Sequence, residues 1–234
     1  MELIFEDYCF ELKYGCINCV MGDGVDLEQL AIECKDNDGV EMVLHPVSNQ
    51  MFYKTVKKQL NFAFDQSKRR KKEKILDVFR IVGLDESFIN RRIETLSNSE
   101  LYLISLACTF LINPQIIILD NPNIYLDVKH LNSFIKVIRT IKRRYNKTII
   151  IFSNDSDFVH MIGDYLFIID QFGILKEGNK YEVFSNDKLL DKLHINLPQI
   201  IQFEKYVLDK KKINLGYRDN INDLIKDIYY YHNC

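Results

Sequence analysis

The sequence predicts an α/β domain built on a mostly parallel sheet. Gln115–Asp120 is a short β-branched run, which is typical of a strand buried on both faces. Asp127–Arg144 has apolar residues at helical spacing, and Thr148–Phe152 is a second apolar run. Strand, helix and strand at these lengths predict a βαβ unit, and therefore neighbouring parallel strands.

Further elements flank this unit on both sides. Downstream, Tyr165–Ile169 predicts a third strand, and the pattern is mostly helical from Asp187 to the end of the chain. Upstream, Ser97–Leu111 predicts an apolar helix, residues 53–92 predict helices with connecting turns, and residues 1–44 predict short strands around a Gly-containing turn. The sum is a sheet domain with a helical insertion and a helical tail.

Composition narrows the class of protein. The chain has 234 residues and a net charge of −2, which disfavours a general nucleic-acid binder. Its dense basic run, Lys68–Lys72, opens a segment with helical periodicity and is typical of a solvated helix start. No apolar run approaches the roughly 18 residues of a membrane helix, and the acidic N-terminus lacks the start of a secretory signal. We expect a cytoplasmic protein that reaches a membrane through a partner.

The cysteines do not predict a metal site. Cys16 and Cys19 form a CxxC pair, but no second pair follows at zinc-site spacing. Residues three apart on a strand face opposite sides, so buried thiols in a reducing compartment are the simpler interpretation.

Two strand ends carry polar residues. Asp120 closes the first strand of the βαβ unit, and Ser153–Asp155 follows the second. Ligands of open parallel sheets bind outside the carboxyl ends of the strands. A carboxylate at this place suits Mg²⁺ coordination, directly or through water, although the same Asp could simply cap a turn.

The order of the central segments resembles that of ABC-transporter ATPases. Leu96-Ser97-Asn98-Ser99-Glu100 is similar to the signature loop LSGGQ, Ile116–Pro122 to the Walker B strand, and Tyr125-Leu126-Asp127 to the D-loop. Ile149–Asp155 resembles the strand that ends in the switch His-Asp, and Gly173–Gly178 resembles a strand after it. The resemblance implies a P-loop NTPase fold, with ATP and Mg²⁺ as cofactors. The stretch between Gly24 and His45 is shorter than in the family, so we expect a truncated N-terminal β-subdomain.

A finer resemblance indicates one branch of that family. His45–Phe52, followed by Thr55-Val56 and Leu60-Asn61-Phe62, is similar to the Q-loop region of energy-coupling-factor (ECF) transporter ATPases. Leu193–Ile200 resembles the C-terminal helical region of that group. The resemblance implies a subunit that pairs on the cytoplasmic face of the cell membrane, as a homodimer or with an intact ATPase. It would then work with a transmembrane subunit in vitamin or metal-ion uptake.

The phosphate loop departs from the family pattern. Gly22 and Gly24 could still turn the chain, but aligning Leu30 with the family's Leu puts Leu27 at the lysine position and Glu28 at the Mg²⁺-binding Ser/Thr position. Asp23, Asp26 and Glu28 add three carboxylates where a triphosphate would bind. Two unit charges about 4 Å apart repel by roughly 1 to 4 kcal/mol. We expect no tight ATP binding at this loop.

Other catalytic positions of the family are also replaced. Asn121 occupies the position of the water-activating Glu, Asn154 that of the switch His, and His45 that of the Q-loop Gln. An amide cannot accept a proton at neutral pH, so general-base function is lost. Gly22, Gly24, His45, Ser97, Asp120 and Asp127 remain as a degenerate nucleotide site, with Asp120 as the candidate Mg²⁺ ligand.

The sequence therefore predicts an ABC ATPase-like domain over residues 1–185, with a helical subdomain at about 50–112, and a helical C-terminal region over 186–234. The expected function is that of a non-catalytic nucleotide-binding-domain subunit that does not bind nucleic acid. Two alternatives stay open: an active but divergent ATPase subunit, and a soluble regulatory or scaffold protein that kept the fold.

Overall fold

The structure is a computed structural model that describes residues 2–5, 8–44, 46–66, 74–213, 215–216 and 221–232. Two features named above, His45 and the basic run Lys68–Lys72, lie outside these residues. In chain order the strands and α-helices are β1 (Glu2–Phe5), β2 (Tyr8–Glu11), β3 (Ile17–Gly22), α1 (Leu27–Lys35), β4 (Val40–Val43), α2 (Val56–Gln66), α3 (Lys74–Ile81), α4 (Asn98–Ile112), β5 (Ile116–Asp120), α5 (Val128–Tyr145), β6 (Thr148–Phe152), α6 (Ser156–Ile162), β7 (Tyr165–Asp170), β8 (Gly173–Asn179), α7 (Lys180–Phe184), α8 (Asp187–Lys192), α9 (Gln199–Lys211) and α10 (Ile221–His232).

The strands form a six-stranded sheet with the order β4-β5-β6-β3-β7-β8, and β1 pairs with β2 in a separate two-stranded sheet. The chain divides into two compact units, residues 1–18 with 26–152 and residues 19–25 with 153–234. The predicted division at residue 185 stays a prediction.

The predicted βαβ unit is confirmed in the first unit. β5 pairs in parallel with β6, with Ile118 opposite Ile150, and also pairs in parallel with β4. All residues of β5 and β6 are buried. This burial explains why both strands are continuous apolar runs rather than alternating patterns.

The first unit also contains a helix that the sequence prediction missed. Leu27–Lys35 is α1, in a region predicted as strands and turns. Its buried residues recur at helical spacing: Leu27, Leu30, Ala31 and Cys34. The helix begins at Asp26, whose side chain accepts a hydrogen bond from the Gln29 N–H. The prediction was wrong because this apolar pattern is short and interrupted by carboxylates.

The helical subdomain packs around α4. All of its residues from Tyr102 to Leu111 are buried, and α4 contacts both α2 and α3. α5 packs against α3, and the ring of Phe134 meets Tyr102 edge-on at 5.8 Å. The predicted helices at Ser97–Leu111 and Asp127–Arg144 are therefore confirmed, and each begins after a polar capping residue.

The second unit contains an antiparallel pair and the helical tail. β7 and β8 pair from Tyr165 opposite Asn179 to Asp170 opposite Gly173. The predicted tail is helical in α8, α9 and α10. Cys19, on the part of β3 that belongs to this unit, is buried, and this burial raises the pKa of its thiol, with a smaller contribution from Asp164. Among the described residues, no helix combines the length and apolarity needed to cross a membrane.

Candidate functional site

The predicted site residues fall in both units. Ser97, Asp120 and Asp127 belong to the first unit, whereas Gly22, Gly24 and Asn154 belong to the second.

The start of α1 is the place where a P-loop would bind phosphate. Counting back along the pattern G-x-x-x-x-G-K from Leu27 puts the two glycines at Met21 and Asp26. The carboxylate of Asp26 accepts the N–H of Gln29 at 3.1 Å. Leu27 is only 7% exposed and belongs to the core. The first turn of this helix is therefore capped by a side chain of the chain itself.

At the end of β5, Asp120 and Asn121 contact each other. Asp120 is 3% exposed, and its Oδ1 accepts a hydrogen bond from Asn121 Nδ2 at 2.9 Å. Asn121 has a left-handed backbone conformation, with φ at 38°, and its N–H donates to Phe152 O at 2.9 Å. Pro122 then begins a 3₁₀ turn. Asn121 occupies the position where a water-activating base is expected, and its amide instead donates a hydrogen bond to the Asp120 carboxylate.

Tyr102 lies in the electrostatic field of Asp120. Its ring is 1% exposed and stacks on Tyr125 with 5.2 Å between centroids. Burial first, and then the charge of Asp120, raise the pKa of the Tyr102 phenol well above 10. Among the described residues, the Tyr102 hydroxyl has no hydrogen-bond partner. The phenol therefore stays protonated and buried at neutral pH.

The start of α4 is closed by a capping box. Ser97 Oγ accepts the Glu100 N–H at 3.3 Å, and Glu100 Oε2 accepts the Ser97 N–H at 2.8 Å. Arg91 Nη1 lies 3.1 Å from Glu100 Oε1. Burial raises the pKa of Glu100, but the Ser97 N–H and the Arg91 guanidinium together outweigh it and hold the pKa below 4.5. The serine that matches the signature loop is therefore also the N-cap of its helix.

Asp127 caps the next helix. Its Oδ1 accepts the His130 N–H at 2.8 Å and lies 2.9 Å from His130 Nδ1. Both side chains are substantially exposed. The D-loop carboxylate thus has a local structural role that is independent of nucleotide.

In the second unit, Asn154 binds the end of β3. Its Oδ1 accepts the Gly22 N–H at 2.9 Å, and its Nδ2 donates to Gly22 O at 2.8 Å. A Cβ on Gly22 would lie 2.7 Å from Ile169 Cγ1, so no side chain fits there. Gly24 has φ at +68°, a conformation that favours glycine. These glycines shape the turn, and Asn154 holds it.

Two glutamines organise the segment after β4, and sequence reasoning assigned no role to either. Gln50 Nε2 donates to Met42 O at 2.7 Å, while its Oε1 accepts the Leu44 N–H and the hydroxyl of Ser105. Gln59 Nε2 donates to Gln50 O at 2.7 Å, and its Oε1 accepts the Phe52 N–H at 3.0 Å. The Gln-x-Phe pattern at Gln50 was the available signal, but it does not reveal these partners.

Beside this segment lies a cavity of about 230 Å³, lined by Pro46, Val47, Ser48, Asn98, Leu101 and Tyr125. Phe52, which is 69% exposed, meets the ring of Phe62 edge-on at 5.9 Å. The predicted Q-loop region therefore presents aromatic surface to the outside.

Curated relatives were found over most of the chain, although no family model matches it. A zinc import ATP-binding protein of Ehrlichia chaffeensis is 31% identical over 204 residues, which cover 81% of this chain and 83% of the relative. An energy-coupling factor transporter ATP-binding protein of Oenococcus oeni is 31% identical, with 77% of this chain and 63% of the relative covered. A second such protein, from Mycoplasma capricolum, is 28% identical over 71% of this chain. The chain spans less than two thirds of the length of these two energy-coupling factor proteins.

Solved structures agree on the fold. The cbiO1 protein of Clostridium perfringens, part of the ABC transporter complex cbiONQ, superposes with a TM-score of 0.67 at 17% identity, covering 84% of this chain and 90% of that one. A dimeric bacterial ABC transporter cassette gives a TM-score of 0.58 at 17% identity, covering 74% of this chain and 88% of that one. Sequence and fold together place the chain in the family of ATP-binding subunits of ABC transporters.

Proposed function

We propose that this chain is a non-catalytic nucleotide-binding-domain subunit. It pairs with an intact ATPase and a transmembrane subunit, at the inner face of the cell membrane, in an uptake transporter for vitamins or metal ions. The zinc import relative supports a metal ion as cargo, and the energy-coupling factor relative supports this type of transporter.

The observation that carries the proposal is the start of α1. The Asp26 carboxylate takes the Gln29 N–H, and a buried Leu27 replaces the lysine that would reach the β- and γ-phosphates. A triphosphate at this helix would meet the charges of Asp26 and Glu28 and no compensating cation from position 27. The residues present therefore do not fit the phosphates of Mg-ATP.

The positions that would act on the attacking water and the γ-phosphate are also altered. ATP hydrolysis needs a group that orients the attacking water and accepts its proton. Asn121 offers an amide that donates to Asp120, and the Asn154 amide is engaged by Gly22. Neither group accepts a proton at neutral pH, so we derive no hydrolytic step on this chain.

Two of the side chains that the family presents to a partner, Ser97 and Asp127, are retained. Ser97 keeps its place at the start of α4, with Asn98 and Ser99 in its first turn, and Asp127 starts α5. In a pair with an intact ATPase, Ser97 and its neighbours at the start of α4 would complete the partner's nucleotide site. The aromatic surface of Phe52 and Phe62 would contact the transmembrane subunit.

Calorimetry with Mg-ATP tests the isolated chain. We expect no binding at micromolar nucleotide, with an intact ABC ATPase as the positive control. Micromolar binding by the chain alone would overturn the proposal in favour of the divergent ATPase. A chain that purifies alone from gently extracted membranes, as a homodimer without transporter subunits, would favour the scaffold protein instead.

A pair of variants tests the composite site in the assembled complex. Ser97→Asp keeps a good N-cap, so the fold is retained, but it adds a negative charge facing the partner's phosphates. We expect it to lower the ATPase rate of the complex at least tenfold. Asn121→Ala, at the chain's own degenerate site, should leave that rate within twofold. Equal losses for both variants would contradict the assignment.

A further inference from the structure

The exposed face of α5 is strongly basic. Lys136, Arg139 and Arg143 follow one another at helical spacing and are all exposed. We call these three residues the basic stripe; it extends over about 10 Å of helix. The opposite face of α5 is buried through Phe134, Val137, Ile138 and Ile141. The helix is therefore anchored by its apolar side, and the stripe points away from the core.

Ordinary helix electrostatics explain only part of this charge. Basic residues in a last turn interact favourably with the helix dipole, which accounts for Lys142, Arg143 and Arg144. Lys136 and Arg139 lie one to two turns earlier, beyond the reach of that effect. The sequence of α5 itself contains no Asp or Glu, so the charge of the helix as a whole is positive.

The opposite charge is concentrated elsewhere in the same unit. α1 and its flanking turns carry Asp26, Glu28, Glu33, Asp36 and Asp38 against Lys35 alone. α1 packs on β4, β5 and β6. The connection from β5 to β6, which contains α5, runs in one direction across the sheet. The connection from β3 to β4, which contains α1, runs in the other direction. Right-handed crossovers in opposite directions place α5 and α1 on opposite faces of the sheet.

We propose that the basic stripe of α5 is a contact surface for anionic lipid headgroups. A protein with a net charge of −2 is attracted to a negatively charged bilayer only if its charges are segregated, as they are between α5 and α1. The stripe then faces the bilayer while the acidic face points away. This contact gives the chain a direct attachment to the membrane, independent of nucleotide and of any partner.

Lipid fits the stripe better than other polyanions do. The core of a protein interface is depleted in charge and rich in aromatic residues. Apart from Tyr145 at its end, the exposed described side chains of α5 are polar or charged. Nucleic-acid-binding domains usually have an isoelectric point above about 9, whereas this chain has a value of about 6.2. Binding to an anionic bilayer requires only that a positively charged protein surface lies within about one Debye length of the headgroups.

Vesicle sedimentation with the full chain tests the proposal. We expect binding to vesicles of phosphatidylcholine with about 30% phosphatidylglycerol at low salt, and little binding to pure phosphatidylcholine. Each neutralised residue should weaken the partition coefficient roughly fivefold, so K136Q/R139Q/R143Q should lose roughly a hundredfold. Binding should also fall steeply at high salt.

The matched control is K188Q/K192Q/K210Q, which removes the same charge from exposed lysines of α8 and α9. It should change vesicle binding by less than about threefold, and thermal unfolding should show that both triple variants are folded. Equal loss in both variants, equal binding to neutral vesicles, or no vesicle binding by the wild type would overturn the proposal. Tighter binding to a DNA duplex than to anionic vesicles at the same salt would also overturn it. Because no nucleotide is present, these results are separate from the test of catalytic competence.

Discussion

The side chain of Asn154 forms two hydrogen bonds with the backbone of Gly22. Its Oδ1 accepts from the Gly22 N–H at 2.9 Å, and its Nδ2 donates to the Gly22 carbonyl at 2.8 Å. An imidazole cannot accept from the Gly22 N–H and donate to the Gly22 carbonyl at the same time. The residue at the switch position is therefore a structural clamp for the loop that follows β3.

Restoring histidine at position 154 should destabilise the protein. Asn154→His removes both hydrogen bonds to Gly22, and we expect a loss of about 1 to 3 kcal/mol in the free energy of unfolding. Urea denaturation measures it. Asn222→His, the same exchange on the exposed face of α10, should change stability by less than about 0.5 kcal/mol. Equal stability of the two variants would show that the clamp contributes nothing.

The cap of α1 can be separated from the charge of Asp26. Asp26→Ala removes the acceptor for the Gln29 N–H and should cost about 1 kcal/mol, whereas Asp26→Asn keeps an oxygen at the N-cap and should cost less than half as much. Thermal unfolding of both variants measures the difference. If Asp26→Asn were as destabilised as Asp26→Ala, the charge rather than the cap would be responsible.

Glu100 should make part of the stability depend on pH. Because the folded state holds its pKa below 4.5, the ionised carboxylate stabilises the fold above that value, and the contribution is lost as pH falls through the folded pKa. Glu100→Gln should therefore be less stable than wild type at pH 7, by about 0.5 to 1 kcal/mol. The two proteins should converge as the pH falls through the folded-state pKa of Glu100. Parallel curves from urea unfolding across this range would contradict the assignment.

Gln59 should control the mobility of the Q-loop segment. Gln59, which is 3% exposed, accepts from the Phe52 N–H and donates to the Gln50 carbonyl, and Gln59→Leu removes both hydrogen bonds. We expect amide exchange at Phe52 and Tyr53 to accelerate at least tenfold, with a stability loss of about 2 kcal/mol. Gln66→Leu, at an exposed position of the same helix, is the control and should leave both exchange rates unchanged. Protection retained in Gln59→Leu would mean that the aromatic rings alone hold the segment.

Several elements were predictable because their signal is local and continuous. β5 and β6 are unbroken apolar runs, and α4 and α5 combine apolar residues with Ser97 and Asp127 as capping residues. α1 was missed although its buried residues have helical spacing, since the pattern covers only two turns amid carboxylates. That Leu27 takes the position of the family's lysine is a prediction from the sequence, whereas the burial of Leu27 is visible only in the structure.

The sequence by itself determined the family and the order of strands and helices around Ile116–Pro122, and it predicted that Leu27, Asn121 and Asn154 replace functional side chains of that family. Tertiary structure alone decided what the replacements do. Asn121 donates to Asp120, and Asn154 clamps Gly22 from more than a hundred residues away in the chain. The tertiary structure also decided how the basic α5 is separated from the acidic α1. Hydrogen-bond partners and shared faces depend on distances in space, which residue types and their spacing along the chain do not specify.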